Sequence, residues 1–186
     1  MVSVKFMGAM LNEGERCGLN LAFAKHVFEI AKKILEEDGH HETILQAYTG
    51  DKFIFIDQVN FEDDHSKCTI MHEIAEKVRR ENADTIVLIG ETWLASAEDL
   101  EPHQSPSEAD RPEEALVLLH VTKGGDDFQL MCRFFRNKAR GFVESPKKHE
   151  QISFADVEVE YGSSTYVLAP ILKVWGREVP VQREET

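Results

Sequence analysis

The stretch Ala83-Asp84-Thr85-Ile86-Val87-Leu88-Ile89-Gly90-Glu91-Thr92-Trp93 decides how the rest of the chain is read. Its four consecutive aliphatic residues, Ile86 to Ile89, are bounded by polar ones, the pattern of a strand covered on both faces; a half-exposed strand would alternate. The run therefore predicts a buried central strand whose carboxyl end carries Glu91 and Trp93.

Working back from it, residues 66 to 82 predict a helix with Met71, Ile74, Ala75 and Val78 as its apolar stripe, and Asp63-Asp64 as cap and negative charge at its positive end. Before that, Thr43 to Tyr48 and Lys52 to Val59 are two β-prone runs across Thr49-Gly50-Asp51, which predicts a hairpin. Residues 19 to 38 place Leu21, Phe23, Ala24, Val27, Phe28, Ile30, Ala31, Ile34 and Leu35 on one broad helical face, with Asn20 to cap the start and Gly39 the end.

Forward from Trp93, residues 94 to 114 hold three of the six prolines and seven acidic residues between Glu98 and Glu114. That is a loop, and one of about twenty residues is usually functional or disordered. Ala115 to Val121 is a second buried strand, Lys123-Gly124-Gly125-Asp126 a hairpin turn, and Phe128 to Arg136 the returning partner. A basic loop spans 138–150. Ile152 to Tyr161 then alternates as a half-exposed strand, and Thr165 to Trp175 follows as a last strand, demoted toward an edge or a bulge by Pro170. Consecutive hairpins imply antiparallel pairing. The expectation is an α+β fold: a mixed, mostly antiparallel sheet of about seven strands with two helices packed on it, all in one domain over residues 1–186.

A chain of 186 residues buries roughly 70% of its unfolded surface, so neither a disulfide nor a metal is needed to hold it. Hydrophobic residues make up 42% and charged ones 30%, ordinary globular material. Lys and Arg total 21 against 34 Asp and Glu, a net charge of -13 that repels polyphosphate and argues against nucleic acid or an anionic membrane as partner. Cys17, Cys68 and Cys132 are odd in number and widely spaced, which points to reduced thiols and a cytoplasmic location. The opening residues, MVSVKFMGAMLNEGE, lack the apolar core of a secretory signal, and no run approaches the roughly 18 apolar residues of a membrane span.

Four groups of side chains are candidates for chemistry. His65, Cys68 and His72 lie at i, i+3 and i+7, a recognised zinc set of imidazole and thiolate. At helical spacing His72 and His65 fall about 40° and about 60° from Cys68 with the apolar stripe at about 290°, so the trio also reads as one boundary of the core face. His40-His41, a second conceivable metal pair, reads more simply as surface imidazoles at a helix exit. Glu91, Asp110, Glu113 and Glu114 can converge at the end of the central strand to hold a divalent cation or act as general acid and base. Arg133, Arg136, Lys138, Arg140, Lys147 and Lys148, interleaved with Phe134, Phe135 and Phe142, form a positive island suited to stacking on single-stranded nucleic acid, or to balancing the acidic loop with one Phe in the core. His120 reads as a core or edge histidine rather than a base. No G-x-S-x-G, Gly-rich phosphate loop or H-E-x-x-H is present.

Glu91-Thr92-Trp93, followed by Ser105-Pro106-Ser107-Glu108-Ala109-Asp110-Arg111-Pro112-Glu113-Glu114-Ala115-Leu116, resembles a family of small uncharacterised bacterial and phage-type proteins. In that family a strand ends in Glu-x-Trp, a Pro-rich loop contains Asp-Arg, and an acidic residue opens the next strand. The resemblance covers residues 83–122 and brings no established activity. It implies that Glu91, Trp93, Asp110, Arg111 and Glu114 belong to one feature, and the chemistry allows a reason: Arg111 can bridge Glu91 and Glu114 with Trp93 as apolar anchor. Here Glu98, Asp99 and Glu101 make the stretch after the Trp acidic, a departure from the family pattern.

The functional expectation is a cytoplasmic, non-enzymatic binding or accessory protein, self-associating through an edge strand and charged loops, with no cofactor and its site at Glu91, Trp93, Asp110, Arg111 and Glu114. The alternative is a carboxylate-based, metal-dependent hydrolase.

Overall fold

In the computed structural model the described residues are 21–61, 64–101, 104–137, 151–162 and 166–179. Helix α1 (Leu21–Asp38) leads into the hairpin β1 (Ile44–Thr49) and β2 (Lys52–Gln58), then α2 (Asp64–Arg80) and the central strand β3 (Thr85–Leu94). After the long loop come β4 (Glu113–Thr122), β5 (Phe128–Asn137), β6 (Gln151–Phe154), β7 (Glu158–Tyr161) and a short α3 (Ala169–Val174). The seven strands form one sheet in the order β2-β1-β3-β4-β5-β6, with β7 also on β5, and every pairing is antiparallel. This is the expected α+β class. The side chains of Asn20, Asp63, Asp64, His65 and Cys17, the opening residues and the basic loop 138–150, for which roles were expected, lie outside the described residues and side chains.

Because successive strand residues point to opposite faces, the run Ile86 to Ile89 feeds two cores. Val87 and Ile89 join Leu116, Leu118, Leu130 and Cys132 under α1, whose Ala24, Val27, Phe28, Ala31 and Leu35 are buried against them. Ile86 and Leu88 join Leu119 and Val121 under α2 and α3, through Met71, Ile74, Val78, Ile171 and Leu172. Fully burying one such side chain is worth about 1.5–3 kcal/mol, so packing rather than propensity fixes these helices. α1 stops at Gly39, whose φ of 77° accepts a left-handed turn and whose N–H bonds Leu35 O at 3.0 Å.

Two strand expectations are corrected. The described part of the expected strand Thr165 to Trp175 is a helical turn over Tyr166–Leu168 followed by α3, not a strand. Pro170 sits in the first turn of α3, where its missing N–H costs nothing. Leu168, Ile171, Leu172 and Trp175 then fall at i, i+3, i+4 and i+7, and the Trp175 indole donates to Ala83 O at 3.0 Å. Ile152 to Tyr161 is a single edge path broken by a β-bulge: β6 pairs Phe154 with Phe134, β7 pairs Glu158 with Met131, and the register slips by one residue between them. The slip keeps Ile152, Phe154 and Val157 all against the α1 core. The loop 94–114 is not without structure, since Ala97–Asp99 and Pro106–Glu108 are 3-10 turns and Ala109 is buried.

Among the described residues no helix is long and apolar enough to cross a membrane.

Candidate functional site at the end of the central strand

The antiparallel register sets Glu91 opposite Leu116 and Glu114 opposite Phe134, so both carboxylates stand on the α1 face at one end of the sheet. Between them lies Arg136. Its Nε donates to Glu114 at 2.9 and 3.0 Å, one terminal nitrogen donates to Glu91 at 2.8 Å, and the other donates to Gly39 O at the end of α1. The second Glu91 oxygen accepts the backbone N–H of His41. The guanidinium carbon also sits 5.1 Å from the Phe134 ring centroid. Side chains of all three ionic residues are about three-quarters buried, which makes these charge-assisted bonds stronger than exposed ones.

The expected clamp is thus present with a different cation. Arg111 is exposed and makes no ion pair among the described residues; Asp110 is exposed beside it. Trp93 pairs across from Glu114 but is 45% exposed, so it does not seal the loop. The loop is held by its own bonds instead, with Gln104 Oε1 accepting from Glu101 N at 2.8 Å and Glu108 accepting from Ser105 N at 3.0 Å. Nor do four carboxylates converge. Glu113 and Glu114 are neighbours along β4 and point to opposite faces, and Glu113 pairs with Arg133 at 2.8 Å while Arg133 also holds Glu158 at 2.7 Å. The positive island is neutralised in the same way at Arg133 and Arg136. Phe134 is the ring in the core and Phe135 the exposed one.

The histidines divide. His40 is exposed, 3.3 Å from Glu42. His41 is not the surface group expected: it is buried, both ring nitrogens lack a hydrogen-bond partner among the described residues, and burial pushes its pKa below the usual imidazole value, with Glu42 opposing the shift in part. His120 packs flat on Phe128 with centroids 4.4 Å apart, a core histidine as expected. Cys68 and His72 stand 3.6 Å apart on α2, and no group of three possible metal ligands occurs among the described residues. Cys68 and Cys132 are free thiols.

On the opposite face the same strand ends floor a groove of about 530 Å³. Leu88, Val117, Leu119 and Met131 make its base, Phe61 and Tyr166 its walls, and Lys67, Gln129 and Thr92 its polar rim. Gly90 lies in its floor, where a Cβ would come within 2.6 Å of Thr43 Oγ1, so the central strand needs glycine there for β1 to approach. Sequence patterning did not show this groove, because periodicity marks which strand faces are apolar and not which stretch of a face the packed helices leave open. A second feature went unread. Arg177 grips buried Asp127 with two bonds of 2.9 and 2.6 Å and bonds Thr122 O at 2.6 Å, tying residues after α3 to the β4–β5 hairpin.

No curated protein and no solved structure matches the chain. A family model does match, that of bacteriophage lambda protein ea47, over residues 12–186. The match reaches far beyond the Glu-x-Trp segment that first suggested a phage-type protein, and by it the chain belongs to the bacteriophage lambda protein ea47 family.

Proposed function

We propose that the chain is a non-enzymatic, cytoplasmic accessory protein of the phage type that binds a protein partner in the groove at the end of β3. The observation that carries this reading is the groove itself: an apolar base left open by α2, with a few polar groups at its rim, in the volume range of ligand sites. The Glu91–Arg136–Glu114 cluster on the other face acts as scaffold. Its carboxylate oxygens already accept hydrogen bonds from a guanidinium and a backbone N–H, whereas a general base needs an oxygen free to reach the substrate's proton.

A photo-crosslinking residue at Met131, in the groove, tests the reading against one at Phe135, exposed on the same strand but outside it. Discrete protein adducts from position 131 and none from 135, in cells expressing the chain, are expected. An adduct of twice the chain's mass identifies the occupant as a second copy, which is the self-associating form of this reading. Equal labelling from both positions would remove the groove as the site. A rise in melting temperature with Mg²⁺, Mn²⁺ or Zn²⁺ that Glu91→Gln abolishes would favour the hydrolase instead.

A further inference from the structure

A second cavity, of about 540 Å³, lies between α2 and the segment Tyr166–Pro170, and it shares Lys67, Tyr166 and Val167 with the groove at the end of β3. The two adjoin at these residues, with exposed Tyr166 between them, and are taken together as one trough. Its charge is opposite to that of the molecule. The chain carries -13 overall, yet among the described side chains lining the trough the ionised groups are Lys67 and Lys173, while Glu91 turns its carboxylate to Arg136 on the α1 face. Two cations on an apolar channel in an acidic protein are a local field that selects for negative charge and steers it in.

We infer that the trough takes an acidic, apolar segment of a protein partner, its carboxylates paired with Lys67 and Lys173 and its apolar side chains lying on Val117, Met131 and Val167. This deepens the groove reading and rests on it. Cys68 and His72 line only the α2 end, so Cys68 reports whether an occupant reaches that far. Cys132 serves as the silent control, since it is buried and burial pushes its thiol pKa up.

The test uses two synthetic peptides, one alternating Leu and Glu and one alternating Leu and Lys, with oligo-dT as a second anion, titrated calorimetrically into the full chain. The Leu/Glu peptide should bind, slow alkylation of Cys68 as read by peptide mapping, and bind about tenfold more weakly to the Lys67→Gln/Lys173→Gln variant. Lys67→Glu/Lys173→Glu should reverse the preference toward the Leu/Lys peptide, with an unchanged melting curve showing that the fold is intact. Equal binding of both peptides would overturn the charge selection, and so would oligo-dT competing as well as the Leu/Glu peptide. Binding without protection of Cys68 would overturn the continuous trough. If neither peptide binds while the Met131 crosslink persists, this inference fails and the groove reading stands; if the crosslink is absent too, both fail.

Discussion

Arg136 joins four parts of the chain that are far apart in sequence: the end of α1 at Gly39, β3 at Glu91, β4 at Glu114 and its own strand. Removing it leaves two partly buried carboxylates facing each other without a cation. Arg136→Met should therefore lower stability in chemical denaturation by about 3 kcal/mol, whereas Arg111→Ala, at an exposed position with no ion pair among the described residues, should stay within about 0.5 kcal/mol. Similar losses for the two would mean that the guanidinium contacts at the sheet end are solvent-weakened. His41 offers a second check. Its folded pKa lies below its unfolded value of about 6.5, so the neutral ring is what the fold accepts. Stability is then complete above that value and falls as acid protonates the unfolded chain in preference, by up to about 1.4 kcal/mol per pH unit. Carboxylates add their own acid loss, so the comparison is with His41→Leu, whose stability should change less between pH 7 and 5.5, as a pair of denaturation series would show.

At the scale of elements, the two long helices were legible from their apolar stripes and the central strands from short aliphatic runs bounded by turns. Ile86 to Ile89 had to be buried twice, and the Gly-bearing turns had to be hairpins. The last element was not legible on the same terms. Tyr166 to Trp175 is almost continuously apolar, a pattern periodicity alone cannot assign, and Pro170 argues against a central strand as well as for a helix start. The bulge at the edge strand also went unread in a run taken as evenly alternating, although the apolar positions step evenly from Ile152 to Phe154 and then jump to Val157, Val159 and Tyr161, and that odd interval is the bulge. The choice between Arg111 and Arg136 could not be made from composition. It depends on which strand lies beside β4, and long-range register is not written in local spacing.

At the scale of the whole molecule, the net charge is unevenly spent: Arg133 and Arg136 are committed to ion pairs, while Lys67 and Lys173 stand on the trough. The edge where β6 meets β7 has its own consequence. Residues 155–157 hold one position more than β5 needs, so deleting exposed Asp156 would leave every cross-strand partner of β7 unchanged and merge ten residues into one straight run, residues 151–161 less the deleted one. The shortened chain should melt like its parent and yet keep badly. An unbroken rim is a template on which molecules add indefinitely, so light scattering of the deletant should show particles growing over days into filaments while the parent stays monodisperse. If the deletant also keeps a constant particle size at high concentration, the extra residue is neutral; if it grows, that residue is what sets the protein's shelf life.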